Sequence, residues 1–229
     1  ADAVFVHCEA AREAVVRHLG LPDDRNVVTI RHGHYVGAYP NDVARDEARR
    51  ALEIPHDVPV ILHLGQIRAY KGVPDLVAAF GRLRASGARL ILAGKIVDPE
   101  FATQLRDMAS GYDGIRLDEG FVEEDSIQLY MNAADLAVFP YHDILTSGAV
   151  VLAMSFGVPC VAPRLGCIGE YLDASGAFLY EPRSVTGLAE ALEGALARRE
   201  ELPEMGRANR ARALEWDWEG IARRSEEHT

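Results

Sequence analysis

Short runs of apolar and β-branched residues recur along the whole chain, and longer segments with helical periodicity separate them. The apolar runs lie at residues 4–6, 27–30, 58–64, 89–93, 114–117, 136–139, 159–162 and 177–180. The clearest helical segments lie at residues 10–19, 42–52, 73–85, 100–110, 126–133, 148–156 and 186–198. Strands that alternate with helices in this way form a parallel sheet whose two faces are both covered. The sequence therefore predicts an α/β fold, a Rossmann-like parallel sheet with helices on both faces.

The composition is typical of a globular protein, and the net charge argues against some classes of binding partner. The chain has 229 residues, of which 48% are hydrophobic and 26% are charged, enough for one large or two small domains. The net charge is -11 at pH 7, which argues against a nucleic-acid partner and against an anionic membrane surface. Any anion site in this chain must therefore be a local region of positive potential.

The cysteines indicate the redox state of the cellular compartment, and the hydropathy pattern indicates whether the chain spans a membrane. Cys8, Cys160 and Cys167 are odd in number and too sparse for a disulfide framework, which favours a reducing compartment. Cys160 and Cys167 lack the neighbouring histidines or further cysteines of a metal site. The sequence contains no apolar run of about 18 residues and no charged-then-apolar leader at its start. Nothing in it predicts a membrane span.

The first candidate binding loop follows the apolar run at residues 58–64. Ligands of open α/β sheets bind beyond the carboxyl ends of the strands, and here Gly65 and Gln66 are followed by two cations, Arg68 and Lys71, before a predicted helix. The planar guanidinium of Arg68 can donate twice to phosphate oxygens, while Lys71 supplies a mobile point charge. A solvated basic turn is the alternative interpretation.

Two further strand ends carry small or basic residues. Gly94 and Lys95 follow the run at 89–93, where a nucleotide could pass close to the backbone, although a plain strand-to-loop glycine is the alternative. Thr146, Ser147 and Gly148 precede an apolar helix whose free N–H groups and dipole suit an anion. An ordinary Ser/Thr helix cap explains the same residues.

Five ordered segments together resemble the donor-binding half of GT-B glycosyltransferases, in particular the family 4 type (glycosyl transferases group 1). Residues 62–72 are similar to the family's "hxxGRhxxxKG" segment, and residues 89–95 to its second strand and glycine turn. The remaining three matches are residues 119–140, 153–162 and 166–180. The resemblance covers roughly residues 58–218, and five motifs in order are far more specific than any one of them.

The resemblance implies roles for the candidate residues. Arg68 and Lys71 would hold the diphosphate of a nucleoside diphosphate sugar and stabilise the departing nucleotide. Backbone groups at Phe121 and Val122 would meet the base, and the turn at residues 146–148 would meet phosphate or sugar. Gly65, Gln66, Gly94 and Lys95 would line the same donor site.

The resemblance also implies what the site works with. It requires no metal and no cofactor, because the nucleotide sugar is the substrate. The acceptor would be a glycan or a lipid-linked molecule, the transfer would be retaining, and the location would be the cytoplasm. It also allows peripheral association with the inner face of the membrane through an N-terminal domain that this chain lacks.

Several positions depart from the family pattern. The two glutamates of its E-x7-E motif fall on Ile144 and Leu152, so the carboxylate that grips the ribose hydroxyls is absent. Asp143, one position away, is a candidate substitute, although an Asp that caps the turn explains it too. Gln66 stands where the family commonly has arginine. A catalytically inactive nucleotide-binding or regulatory domain of the same fold is therefore the alternative function.

The sequence near both ends of the chain suggests domain boundaries. Residues 1–41 resemble the end of an acceptor domain and its linker, residues 42–223 the nucleotide-sugar domain, and residues 224–229 a tail that is not native. On this interpretation the chain is a fragment. We expect it to bind nucleotide weakly and to transfer little or no sugar by itself.

Overall fold

The protein has the predicted α/β architecture in the computed structural model, which describes residues 3–83 and 87–227. Within these residues the strands are β1 (Val4–Val6), β2 (Val27–Thr29), β3 (Val60–Leu64), β4 (Arg89–Gly94), β5 (Ile115–Glu119), β6 (Leu136–Val138), β7 (Cys160–Pro163) and β8 (Ala177–Tyr180). The α-helices are α1 (Glu9–Leu19), α2 (Arg45–Ala51), α3 (Val73–Phe80), α4 (Pro99–Ser110), α5 (Glu124–Ala133), α6 (Gly148–Phe156), α7 (Ile168–Tyr171), α8 (Val185–Ala197), α9 (Leu202–Leu214) and α10 (Trp218–Glu226).

The larger sheet is parallel, with strand order β5-β4-β3-β6-β7-β8. β3 pairs with β4 on one side, in the register Leu62 opposite Ile91, and with β6 on the other, in the register Leu62 opposite Ala137. The chain therefore builds outward in one direction through β4 and β5 and in the other through β7 and β8. The order reverses between β3 and β6, and a crevice opens beyond the carboxyl ends of the strands at such a point.

Strand β3 shows why this sheet is covered on both faces. Every one of its residues is buried, and successive side chains point to opposite faces of a strand. Leu62 and Leu64 belong to one apolar core and Ile61 to the other. A strand without a polar face can lie only at the centre of a sheet between two layers of helices.

β1 and β2 form a separate two-stranded parallel sheet. This sheet packs with α1 and, like α1, belongs to the N-terminal part of the chain. A disulfide joins Cys8, at the start of α1, to Cys167, at the start of α7. The side chain of Glu170 also accepts hydrogen bonds from the backbone N–H groups of Glu9 and Ala10. The cysteine count favoured a reducing compartment, and this single bond between residues 159 positions apart argues against that inference, because disulfides are rare in reducing compartments. Cys160 is free and buried.

The segment between β2 and α2 lies against the helices of the larger domain. The backbone N–H of Tyr35 donates to the Ser155 hydroxyl of α6 (2.9 Å), and the indole N–H of Trp218 donates to the carbonyl of His34 (2.8 Å). Further along, the backbone N–H of Val43 donates to the Gln128 side chain of α5 (3.0 Å). These contacts fix the linker beside the crevice at the carboxyl ends of the strands.

The differences from the sequence prediction lie mostly at helix ends. The helix predicted at residues 73–85 ends at Phe80, and its last two residues fall outside the described part of the chain. None of the predicted helical segments corresponds to α7, α9 or α10. Residues 224–226 of the predicted tail continue α10, whereas residues 228–229 fall outside the described part. The proposed domain boundaries at 41 and 223 stay predictions.

Candidate functional site

A cavity of about 490 Å³ opens at the carboxyl ends of β3 and β4, beside the point where the strand order reverses. Its lining comes from the end of β3, from the loops after β3, β4 and β5, from α5 and α6, and from the linker. The lining residues are Tyr35, Tyr39, Leu64, Gly65, Gln66, Lys71, Gly94, Lys95, Phe121, Val122, Ile127, Gly148, Ala149 and Leu152.

Two glycines let the first two loops approach each other at the floor of the cavity. Gly65 and Gly94 have φ angles of 131° and 149°, which residues with a side chain rarely adopt. A Cβ atom on Gly94 would lie 1.9 Å from the carbonyl oxygen of Gly65. The backbone N–H of Gly65 donates to the carbonyl of Ala93 (3.0 Å). The glycines therefore expose backbone to a ligand here, and they also allow the two strand ends to meet.

Lys71 projects from a single 3₁₀ turn into the cavity. Its amino nitrogen lies 5.4 Å from the centre of the Tyr141 ring and 3.8 Å from the place that a Cβ on Gly65 would occupy. Burial lowers the pKa of Lys71, and the charge of Arg68 lowers it further. The surroundings therefore disfavour the charged form of Lys71, and an anion that binds beside the amino group stabilises that form.

The turn that carries Lys71 is braced by the loop after β6. A Cβ on Gly72 would lie 1.9 Å from the carbonyl oxygen of Pro140, so only a glycine fits there. The backbone N–H of His142 donates to the carbonyl of Tyr70 (2.9 Å), and the His142 ring contacts the carboxylate of Asp75 at 2.8 Å. These contacts hold Lys71 against the end of β6.

Arg68 is exposed and is not among the residues that line the cavity, and its role as a diphosphate ligand stays a prediction. Within the described residues, no carboxylate lies within ion-pair distance of Arg68 or of Lys71. Lys71 is therefore the cation at the floor of the site, and Arg68 adds positive potential from outside it.

The turn before α6 serves as a helix cap and also presents a helix N-terminus to the cavity. The buried hydroxyl of Ser147 accepts from the backbone N–H of Val150 (3.4 Å) and lies 3.2 Å from the Tyr141 hydroxyl. Gly148, the first residue of α6, lines the cavity, and a Cβ on it would lie 2.9 Å from the Tyr35 hydroxyl. The side chain of Ser147 is thus engaged in the cap, while backbone groups at Gly148 face the space where a ligand would lie.

Replacing Ser147 with alanine is expected to lower the free energy of unfolding by about 1–2 kcal/mol, since the cap of α6 is lost and the buried Tyr141 hydroxyl loses a partner. Urea unfolding measures the change. Ser110→Ala, at the exposed end of α4, is the matched control and should change stability by less than about 0.5 kcal/mol. Equal stability of Ser147→Ala and the unsubstituted chain would contradict the capping role.

Two other residues from the loop after β6 do not line the cavity. Asp143 is exposed, and Thr146 is half-buried behind the turn. The Thr146 hydroxyl oxygen is buried and has no hydrogen-bond partner among the described residues. Ile144 packs against the core, so no carboxylate at this loop replaces the absent family glutamates within the cavity.

The outer part of the cavity is apolar and aromatic. Phe121 is 72% exposed at the rim, and Val122, Ile127 and Leu152 contribute aliphatic surface. Lys95 is the second lysine on the lining. The family resemblance predicted Phe121, Val122 and Lys95 as donor-site residues, but no signal in the sequence pointed to Ile127.

Two tyrosines of the linker were missed by the sequence analysis. Tyr35 and Tyr39 line the cavity with their rings 5.7 Å apart, and burial raises the pKa of Tyr35. The ring of His32 lies beside Tyr35, with Nε2 3.5 Å from its hydroxyl. The only signal in the sequence is the aromatic pair at i and i+4, which is not specific enough to place these side chains over α6.

The site carries positive charge without metal-binding clusters. Over the part of the chain that the structure describes, no group of three or more His, Cys, Asp or Glu side chains is arranged to hold a metal ion. The prediction that no metal or cofactor is required stays a prediction. The same residues include no helix with the length and apolar sequence needed to cross a bilayer. A cavity with a lysine floor, a helix N-terminus and an apolar outer wall suits an elongated ligand with an anionic centre.

The sequence of the chain is similar to the sequences of known proteins. A sequence model of the family described as glycosyl transferases group 1 matches residues 58–198. A glycogen synthase of Mycobacterium tuberculosis is 27% identical over 224 residues, which are 95% of this chain and 51% of that protein. A GDP-mannose:glycolipid 4-beta-D-mannosyltransferase of Xanthomonas campestris is 29% identical over 157 residues, 67% of this chain and 42% of that protein. The chain spans about half the length of the curated relatives it matches.

Solved structures agree with the fold. Anabaena Alr3699/HepE in complex with UDP superposes with a TM-score of 0.88 at 19% identity, over 99% of this chain and 63% of that one. Sucrose-phosphate synthase from Thermosynechococcus elongatus superposes with a TM-score of 0.84 at 23% identity, over 99% of this chain and 57% of that one. At this level of identity the likeness establishes the fold.

Proposed function

The chain belongs to the glycosyl transferases group 1 family, and on that premise we propose that it is the donor-binding half of a glycosyltransferase. Its substrate is a nucleoside diphosphate sugar, and the sugar goes to a glycan or a lipid-linked acceptor with retention of configuration. The acceptor lies against an N-terminal domain that completes the cleft. The reaction takes place in the cytoplasm, where that domain can rest on the inner face of the membrane.

The observation that carries this proposal is the meeting of Lys71 with the N-terminus of α6 in one cavity. When the bond between the anomeric carbon and the diphosphate oxygen breaks, its electron pair stays on the diphosphate. A cation and free N–H groups that are already in place stabilise this charge without reorganisation. Gly65 and Gly94 leave room for the ligand to contact backbone.

Retention follows if the acceptor attacks on the face that the diphosphate leaves. The acceptor hydroxyl oxygen forms the new bond to the anomeric carbon, and its proton passes to the departing diphosphate oxygen beside it. Lys71 and Gly148 hold that diphosphate in place, so no protein carboxylate is needed in this step. This suits a cavity whose lining, as far as the described residues go, contains no Asp or Glu.

The relatives support a nucleotide-sugar donor and leave its identity open. One relative is named for GDP-mannose, and the HepE structures contain UDP or UDP-glucose. The exposed ring of Phe121 at the cavity rim offers a stacking surface that every base can use.

Calorimetric titration of UDP, GDP and ADP into the chain tests the proposal. At least one of them should bind, and inorganic pyrophosphate should compete with it because the diphosphate is held at the floor. If none of these ligands binds, the donor-site assignment is wrong. Product anomers, determined by NMR for a protein that carries this segment together with an acceptor domain, decide between retention and inversion. Binding without any transfer in that protein would favour the inactive nucleotide-binding domain.

A further inference from the structure

Tyr35 of the linker lies along one face of α6. Its backbone N–H donates to the hydroxyl of Ser155 (2.9 Å), which in turn donates to the carbonyl of Val151 in the same helix (2.7 Å). The phenolic oxygen lies 2.9 Å from the place that a Cβ on Gly148 would occupy. Residues at i and i+7, such as 148 and 155, share one face of a helix. The tyrosine therefore reaches from the body of α6 to its first residue.

The start of α6 offers backbone donors to a ligand and few side chains. Gly148 and Ala149 line the cavity, and among the described residues no group accepts from their N–H groups. The Ser147 hydroxyl is engaged in the cap of the helix. Chain neighbours aside, the atoms nearest to the Cβ place on Gly148 belong to Tyr35 and His32, and of these two side chains Tyr35 lines the cavity. The linker thus brings a phenolic hydroxyl to the N-terminus of α6.

The Tyr35 hydroxyl is a donor without a short hydrogen bond in the structure. Nδ1 of His32 lies 2.8 Å from the carbonyl oxygen of Gly33, and a carbonyl only accepts, so the proton of the neutral ring is on Nδ1. Nε2 then presents its lone pair to the Tyr35 hydroxyl at 3.5 Å, which is long for a bond from a hydroxyl group. An anionic oxygen is a stronger acceptor at a shorter distance. Burial raises the pKa of Tyr35, which keeps the proton on the hydroxyl.

We propose that Tyr35 binds the diphosphate of the ligand: its hydroxyl turns from Nε2 of His32 to the phosphate group at the N-terminus of α6 and donates a hydrogen bond to it. This inference rests on the proposed function, since it takes the cavity to hold a nucleoside diphosphate. Lys71 and Tyr35 then supply side-chain donors to the same anion, one from the loop after β3 and one from the linker. The contact needs the hydroxyl and not the ring.

Tyr35→Phe tests the inference, because it removes the hydroxyl and keeps both the ring and the backbone bond to Ser155. Isothermal titration of the full chain should show that the Kd of inorganic pyrophosphate rises about tenfold, and that the Kd of the nucleoside diphosphate that binds best rises by the same factor. Both ligands lose one hydrogen bond to a charged group. Tyr112→Phe is the matched control. Tyr112 lies between α4 and β5, away from the cavity, so this variant should keep both Kd values within about twofold.

The two ligands together separate a bond to phosphate from a general effect on the site. If Tyr35→Phe leaves both Kd values within about twofold of the unsubstituted chain, the inference is wrong. A loss confined to the nucleotide would overturn it as well, since the hydroxyl would then meet the nucleoside. If pyrophosphate and every nucleotide fail to bind to the unsubstituted chain, the proposed function itself is wrong. Binding of both ligands that does not depend on the Tyr35 hydroxyl contradicts only the present inference.

Discussion

Replacing Lys71 with alanine is expected to weaken binding of a nucleoside diphosphate by about 10- to 100-fold, since a charge-assisted hydrogen bond contributes about 1.5–3 kcal/mol. The lysine is half-buried at the floor of the cavity, and burial lowers its pKa. It lines the same cavity as Gly148 at the N-terminus of α6, and among the described residues its amino group has no carboxylate partner. Isothermal titration of the nucleotide that binds best measures the loss.

Arg89→Ala is the matched control for this variant. Arg89 is exposed at the start of β4, at the amino end of the sheet, so its removal changes the net charge equally without touching the cavity. Its Kd should stay within about twofold, because exposed charges more than a Debye length of about 10 Å away are screened. If Lys71→Ala and Arg89→Ala weaken binding equally, the effect is one of net charge and Lys71 is not the diphosphate ligand.

The lowered pKa of Lys71 adds a pH signature to the same experiment. A diphosphate beside the amino group favours its charged form, so the pKa is higher in the complex than in the free protein. Binding therefore takes up protons, and affinity falls as the pH rises through the lowered pKa of the free protein. This decrease should be absent from Lys71→Ala. A pH dependence that is unchanged by the substitution would assign the proton uptake to another group.

The sheet and most helices could be predicted because their signals are local. The apolar run that marks a strand such as β3, or a helix such as α6, is contained within a few consecutive residues. α9 has no such signal, since its sequence is rich in arginine and it carries a glycine, Gly206. A Cβ on Gly206 would lie 2.0 Å from the carbonyl oxygen of Gly157, so this helix depends on close packing with α6 rather than on an apolar stripe.

The candidate site was predictable only in its strand-end loops. A glycine and a cation after a strand place Gly65, Lys71 and Gly94 at the carboxyl edge, because parallel strands all end there. Whether Arg68 or Lys71 points inward depends on how a single 3₁₀ turn packs on the loop after β6, and the sequence does not contain that contact. Tyr35 reaches the site through a hydrogen bond to Ser155 across 120 positions.

Removing the disulfide between Cys8 and Cys167 is expected to lower the free energy of unfolding by about 3–5 kcal/mol. The bond closes a loop of 159 residues, and a cross-link over a loop of that length strongly restricts the unfolded chain. Urea unfolding of the Cys8→Ser/Cys167→Ser variant, compared with the oxidised chain, measures the difference. In the variant, β1, β2 and α1 should unfold first, because the disulfide and the Glu170 contacts hold this region to α7.

Two measurements distinguish loss of the disulfide from other effects of the two substitutions: a count of reactive thiols, and the stability of each chain in the presence of reductant. The unfolded oxidised chain should show one reactive thiol, that of Cys160, and the reduced chain three. Reductant should lower the stability of the unsubstituted chain to that of the double variant and leave the variant unchanged, because both then lack the same cross-link. Three free thiols in the chain as isolated under air would show that the bond does not form. In that case the polar contacts that hold the start of α1 to α7 are the carboxylate of Glu170 and the hydroxyl of Tyr171, which donates to the carbonyl of His7.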